Sequence, residues 1–345
     1  MATNILELEK PIDYLVAIAH EALSLWGYSS TNLKLIKMRE NTIFRTILPN
    51  GKIAALRIHR HGYHTSAALT SELKWMEALK KEGIKVPNVI KLPTGNLFAK
   101  VKAIPDTLQV DMLEWLPGNS LGSLEEGLNP SIINTGEIFE NIGALIARLH
   151  NHSSMWRLPT GFTRHKWDRN GLTGEEPLWG KFWELPELNK DEKKLILKTH
   201  EVTRKDLKSI GKPRSLYGLI HADLNLDNML FYGSQISAID FDDCGFGWHL
   251  FDIATASISF DGHENINKTT QSVIKGYRTL RDLSDQTIQQ MPLFCVLRML
   301  MYLGWIHTRK ETEMAQKEGA KVIALACNLA ENYLTLSYSR NEKSI

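Results

Sequence analysis

Residues 219–242 read LIHADLNLDNMLFYGSQISAIDFD. Two β-rich apolar runs, 229–232 and 235–239, flank Gly233 and Ser234, and Gly-Ser between such runs is a tight-hairpin signal. Asn228 stands just before the first run and Asp240 just after the second, so strand pairing brings the two side by side. Asp223 lies on the loop that leads in. Two carboxylates and an amide converging at the mouth of a hairpin suit a hard cation, because magnesium takes oxygen ligands and keeps much of its water.

Upstream, the pattern is that of a small antiparallel sheet carrying one packed helix. Apolar positions at helical spacing run over 12–26 and stop at Gly27. The β-rich runs 42–48 and 52–58 are joined through Pro49, Asn50 and Gly51, and Asn-Gly is the strongest short-range hairpin signal. A helix is predicted over 66–81, with Leu69, Leu73, Met76 and Leu79 or Lys80 on one stripe and Gly83 past its end. Extended segments follow at 97–104 and 109–116. From about residue 131 the character turns helical, and Asn134 with Glu137 has capping-box spacing ahead of Ile138, Ile142, Leu145, Ile146 and Leu149. Residues 152–190 carry Trp156, Trp167, Trp179 and Trp183 with little periodicity, a long loop too rich in tryptophan to be a disordered tract. A helix over 191–210 is predicted next, and long helices near 265–280, 285–308 and 312–336. The expectation is an α+β chain of two parts, 1–116 and 117–345, the second with an insert at 152–190.

The composition is that of an ordinary soluble protein of 345 residues, with 43% apolar and 23% charged side chains. A net charge of +2 gives no footprint for nucleic acid, and the lysine run at 190–194 includes Asp191 and Glu192, as a solvated helix face does. Cys244, Cys295 and Cys327 are far apart and form no CxxC pair, which argues against a disulfide framework or structural zinc. Glu7, Glu9 and Asp13 stand where a signal peptide needs a basic start. The most apolar stretch, 291–306, is short and interrupted by Arg298, so it reads as a core helix rather than a membrane span. The chain is expected to be cytoplasmic, with no nucleic-acid or membrane partner.

Phosphoryl transfer needs a site of the kind seen at 219–242: metal ions neutralise charge on the phosphate, and one further carboxylate orients the attacking hydroxyl. His221, Asp223 and Asn228 have the H-x-D…N spacing of the kinase catalytic loop, and Asp240-Phe241 stands where the kinase metal-binding Asp-Phe begins. On these residues the chain resembles the aminoglycoside phosphotransferase and choline kinase superfamily, including its bacterial homoserine-kinase-like members. The likeness extends over roughly residues 35–310.

The resemblance implies a bilobal protein-kinase-like fold, with a small antiparallel-sheet N-lobe and a larger helical C-lobe. It implies an enzyme that uses ATP and Mg2+ to phosphorylate a hydroxyl of a small molecule: an amino alcohol, or a homoserine-like, choline-like or aminoglycoside acceptor. Asp223 would be the catalytic base, His221 a brace for the loop, Asn228 and Asp240 the magnesium ligands, and Asp252 a support from the following helix. In the N-terminal part, Ala55-Leu56-Arg57 sits where kinases place Ala-x-Lys on the third strand. Strand alternation puts Ala55 and Arg57 on one face. Ala55 would line the adenine slot, Arg57 would reach the phosphates, and Glu72 would pair with Arg57. Residues 113–118 (LEWLPG) look like the hinge, with Glu114 and Leu116 at the adenine. Two departures stand out. Arg57 replaces the usual lysine, which is not a conservative exchange. No G-x-G-x-x-G loop is present, so residues 39–44 (RENTIF) would cover the phosphates.

Several features have plainer readings. His59, His61 and His64 are expected to be surface histidines spread along a strand end rather than metal ligands. Cys244 reads as a small buried side chain. The insert tryptophans could cage a cationic substrate, although packing is the commoner use of tryptophan. Asp242 and Asp243 could contact metal or substrate, or simply be turn acids. Residues 241–251 are too few, and lack A-P-E, for a peptide-ordering activation segment, which favours a small acceptor. An atypical Ser/Thr protein kinase remains the alternative, since such kinases lack that segment too. A non-catalytic nucleotide-binding module would require a lost base or metal ligand, and neither is missing.

Overall fold

The computed structural model describes residues 12–29, 32–38, 41–103, 106–123, 126–258 and 262–342. The chain divides into two compact units: one runs through Pro117 and includes Leu158–Arg164, the other comprises Gly118–Arg157 and His165–Ile345. The segment 158–164, which lies in the tryptophan-rich stretch, thus belongs with the N-terminal elements.

The first unit holds α1 (Ile12–Leu25) and five strands: β1 (Lys34–Met38), β2 (Asn41–Ile47), β3 (Ile53–His59), β4 (Phe98–Lys102) and β5 (Thr107–Glu114). Helix α2 (Ser66–Lys81) follows β3. The strands form one antiparallel sheet in the order β1-β2-β3-β5-β4. The Asn50-Gly51 turn closes β2 onto β3 because Gly51 adopts φ +78° and its N–H donates to Leu48 O at 2.9 Å. Alternation then sends Ala54, Leu56 and Ile58 into a core shared with Leu15, Ile18, Ala22 and Leu23 of α1, and Arg57 to the opposite face. Thr65 caps α2 by accepting from Ala68 N, and Gly83 at φ +76° ends the turn beyond it. Strand β1 was not expected from the sequence. It is an edge strand whose residues alternate between exposed and half-buried, so it lacks a strong apolar run.

The second unit begins with three two-residue strands, β6 (Asn119–Ser120), β7 (Gly122–Ser123) and β8 (Gly127–Leu128), then α3 (Thr135–Met155). Asn134 caps α3 through Glu137 N. Within the 152–190 stretch lie β9 (Lys166–Trp167) and α4 (Arg169–Thr173). Helix α5 (Lys190–Ile210) opens on a full capping box of Asn189 and Glu192. Next come β10 (Tyr217–Ile220), the hairpin β11 (Met229–Tyr232) and β12 (Gln235–Ala238), β13 (Gly245–Trp248), and the helices α6 (His249–Ile258) and α7 (Gly262–Arg278). Helices α8 (Asp285–Ile288), α9 (Met291–Thr308) and α10 (Glu313–Glu342) complete the chain.

The single helix expected over 285–308 is two, because Pro292 sits at the start of α9 and has no N–H to continue α8. By length and composition the span Asp285–Thr308 could cross a membrane, yet 78% of its most apolar window is buried inside the fold. Strand β13 pairs antiparallel with β10 and parallel with β9. Close packing requires glycine at 245, where a Cβ would stand 2.7 Å from the backbone oxygen of His165. Helices α3 and α7 approach through Gly143 and Gly276 in the same way, each facing a backbone oxygen of the other helix.

Candidate active site

The β11–β12 hairpin forms as its Gly233-Ser234 turn demands, with Met229 opposite Ala238 and Tyr232 opposite Gln235. Ile239 N donates to Asn228 O at 2.9 Å, which extends the pairing by one rung and carries Asn228 and Asp240 to the same end of the hairpin. Residues 226–228 make a single 3-10 turn capped by Asn225, and this turn brings Asn228 back onto Asp223. Asn228 Nδ2 donates to Asp223 Oδ2 at 2.7 Å and to Asp223 O at 3.0 Å. Asn225 Nδ2 straddles the same carboxylate at 3.2 and 3.3 Å. Arg298 Nη2, from α9, reaches Asp223 Oδ1 at 2.6 Å. Three side chains therefore fix the plane of the Asp223 carboxylate, which keeps 17% exposure.

Behind the loop stands Asp252 of α6, fully buried. Its Oδ1 accepts from Ala222 N at 2.7 Å and its Oδ2 from His221 N at 3.0 Å. Ala222 needs that support. Ala222 and Asp240 are the non-glycine residues with positive φ among the described residues, at 69° and 62°, and alanine gains nothing locally to offset about 1–2 kcal/mol of left-handed strain. His221 spans the loop. Its Nδ1 accepts from Asp223 N at 3.3 Å, so Nε2 carries the hydrogen and donates to Ile239 O at 3.1 Å. Burial depresses its pKa, with Asp252 and Asp223 pulling the other way, and the ring is neutral. His150 also meets Asp252 Oδ2, at 3.1 Å. Burial, and then Arg281, hold His150 well below the usual histidine range, so this contact is a neutral hydrogen bond rather than an ion pair.

The tryptophan-rich stretch attaches to the turn after Asp240 through Asp243. Trp179 Nε1 donates to Asp243 Oδ1 at 3.2 Å, while His165 Nε2 and Trp167 Nε1 both reach Asp243 O at 2.8 Å. The Trp167 ring stacks on Phe251 and presents its edge to Trp179. The cation over Trp179 is the protein's own: the Arg298 guanidinium lies 4.8 Å from its ring centre and 4.5 Å from that of Tyr302. Packing, rather than an open cage, is what Trp167 and Trp179 do here.

In the first unit Arg57 meets Glu72, with Nη2 at 2.9 Å from Oε1. It also meets a residue the sequence reading did not single out. Asp111 lies opposite Arg57 in the β3–β5 register and takes Nε at 2.9 Å and Nη2 at 2.6 Å. His59 Nε2 adds a 2.7 Å bond to Asp111 Oδ2. Arg164 approaches the other Glu72 oxygen at 3.6 Å. The expectation of a surface His59 is therefore corrected: it is buried, because β3 continues through it and alternation turns it onto the Arg57 face. His61 is exposed and pairs with Asp106. Ala55 is half-buried on the Arg57 side of β3. Glu114 donates its N–H to Asn88 O at 2.8 Å, and its carboxylate holds Lys80 at 3.0 Å. Leu116 follows β5, half-buried. Of the 39–44 stretch, Arg39 and Glu40 lie outside the described residues.

The donor set at the hairpin fits a hard divalent cation. Because Asn228 turns Nδ2 onto Asp223, its other terminal atom is a carbonyl oxygen, and Asp240 supplies a carboxylate at the same hairpin end. No cluster of three His, Cys, Asp or Glu able to hold a metal occurs among the described residues.

Residues 33–281 match the model of the phosphotransferase enzyme family. The chain belongs to that family. It is 23% identical over 330 residues to an amicoumacin kinase of Bacillus subtilis (strain 168), covering 91% of each chain. The structure of a microcompartment-associated aminopropanol kinase superposes with TM-score 0.82 at 30% identity, over 93% of this chain and 98% of that one. The amicoumacin kinase hAmiN, in complex with AMP-PNP, Ca2+ and Ami, superposes with TM-score 0.69 at 20% identity, over 87% of each chain. The antiparallel N-terminal sheet and helical C-terminal part are thus those of a kinase-like phosphotransferase, as the sequence pattern anticipated.

Asn225, Asp111 and Arg298 are the site residues that the sequence reading missed. Each carried a signal. Asn225 lies between Asp223 and Asn228 in the same short loop. Asp111 is a carboxylate set between apolar Val110 and Met112 in a strand run, and Arg298 is the one Lys or Arg in the most apolar helix, where a buried charge requires a partner.

Proposed function

We propose that the protein transfers the γ-phosphoryl group of ATP, with Mg2+, to the hydroxyl of a small amino alcohol. The observation that carries this reading is the convergence of Arg298, Asn225 and Asn228 on the Asp223 carboxylate at the mouth of the β11–β12 hairpin. A carboxylate held in one plane by three donors is suited to orient an acceptor hydroxyl and take its proton. Asn228 and Asp240 would hold the metal, which when bound would neutralise charge on the phosphates. His221, neutral and bonded at both nitrogens, keeps the loop in shape. The first unit is assigned to the nucleotide, with Arg57 and Glu72 on the phosphate side and Ala55, Glu114 and Leu116 on the adenine side. Arg57 serves there with its charge offset by Asp111 and Glu72, which favours an anchoring role over tight phosphate binding.

The amino-alcohol class is supported by the aminopropanol kinase, similar over nearly the whole chain, and the hAmiN complex supports a nucleotide with a divalent ion. A peptide acceptor is disfavoured because β13 leads directly into α6, with residues 241–244 alone between Asp240 and that strand. The three cysteines are free thiols, in keeping with a reducing cytoplasm. The test is turnover of ATP with Mg2+ and a panel containing aminopropanol, homoserine, choline, an aminoglycoside and a Ser/Thr peptide. Turnover with an amino alcohol, lost in Asp223→Asn, supports the proposal. Turnover with the peptide alone, or nucleotide binding without any turnover, overturns it.

A further inference from the structure

We infer that Arg298 is a positioning residue that reserves Asp223 for the acceptor hydroxyl by keeping the divalent cation off that carboxylate. The inference rests on the phosphotransferase reading above. Arg298 is buried in α9, with a side chain 1% exposed. Its Nη2 donates to Asp223 Oδ1 at 2.6 Å and its Nη1 to Ala222 O at 3.2 Å. The guanidinium also lies against two aromatic rings, those of Trp179 and Tyr302, which meet edge to face beside it. Asp243 in turn fixes Trp179.

The arrangement solves a competition problem. Asp223 Oδ2 is bonded to Asn228 Nδ2 at 2.7 Å, so the carboxylate lies one amide group away from the Asn228 oxygen assigned to the metal. A dication prefers a carboxylate oxygen to an amide oxygen, and Asp223 would be the stronger ligand of the two. The guanidinium occupies Oδ1, offsets the charge of Asp223 and repels a second cation. Asp223 is left to orient a hydroxyl, and the metal is left to Asn228 and Asp240. Lysine would keep the charge, though not the two-point grip on Asp223 and Ala222. A neutral side chain would keep neither.

The experiment is calorimetric titration of Mg2+ into the full chain saturated with AMP-PNP, for wild type, Arg298→Met, Arg298→Gln and Arg298→Lys. Turnover with the best amino alcohol is measured alongside. In both neutral variants Mg2+ is expected to bind about tenfold more tightly, or in a second equivalent. Their kcat should fall about a hundredfold, with KM for ATP little changed. Arg298→Lys should keep the wild-type metal affinity and recover part of kcat. Should Arg298→Met fail to fold, Arg298→Gln, which retains a donor for Asp223, carries the comparison. Neutral variants with wild-type metal affinity overturn the inference, even if kcat falls. A wild type that takes up no Mg2+ with AMP-PNP overturns the phosphotransferase reading instead.

Discussion

Replacing Asp111 with alanine removes three hydrogen bonds from inside the N-terminal unit: Arg57 Nε at 2.9 Å, Arg57 Nη2 at 2.6 Å and His59 Nε2 at 2.7 Å. Arg57, itself buried, keeps Glu72 as a carboxylate partner, and Glu72 is shared with Arg164. Removing one partner of a buried pair costs about 3–5 kcal/mol because the other charge is left under-compensated. The loss of three bonds places Asp111→Ala in the upper half of that range. In a unit of this size such a loss lowers the melting temperature by on the order of 10–20 °C. Thermal and urea unfolding measure it, with Asp106→Ala as control: Asp106 also bonds a histidine, His61, but both are exposed, and that variant should match wild type. The acid limb gives a second reading. Burial pushes the Asp111 carboxyl up, but Arg57 and His59 pull harder and bring it from 3.8 to about 2. A carboxyl depressed by folding contributes stability that is fully present above its unfolded value and lost as pH falls through the folded one. The wild type should therefore lose roughly 2 kcal/mol between pH 4 and pH 2 that Asp111→Ala has already lost. The acid loss is the smaller of the two because a protonated carboxyl still fills its space and bonds in part. A cost below about 1 kcal/mol for Asp111→Ala would refute the reasoning.

Asp223→Asn should leave the melting temperature near that of wild type and lower turnover by roughly 10²–10⁴-fold, read in a coupled ADP-release assay. Asp252→Ala strips the acceptor from His221 N and Ala222 N, and unfolding in urea should show a loss on the order of 3 kcal/mol together with lost turnover. Gly276→Ala would place a methyl 1.8 Å from Glu140 O, so α3 and α7 must separate, and thermal unfolding should show a loss of about 1–3 kcal/mol or more.

Where local chemistry alone decides the structure, the sequence was legible. Helix α2 begins and ends where its capping threonine and Gly83 place it, and both hairpins close on their Asn-Gly and Gly-Ser turns. The loop bearing His221, Asp223 and Asn228 was readable for the same reason: its spacing is short, and one hairpin sets its geometry. What escaped depends on partners distant in the chain. Nothing near Arg298 shows that its counter-charge lies at residue 223, or that Trp179 packs against it. Strand β13 reads as a glycine loop until the His165 backbone is seen to leave no room for a side chain at Gly245. His59 looks exposed until Asp111 is placed on the adjacent strand. Pro292 was in plain view as a break between α8 and α9, yet the continuous apolar pattern hid it.

A crystal of the protein grown with AMP-PNP and Mn2+, with anomalous scattering used to locate the metal, tests the central assignment most directly. The account predicts a manganese ion within about 2.0–2.4 Å of Asn228 Oδ1 and an Asp240 oxygen, with Asp223 still bonded to Arg298 and not ligating. A metal held by Asp223, or bound with neither Asn228 nor Asp240 in its shell, would contradict it.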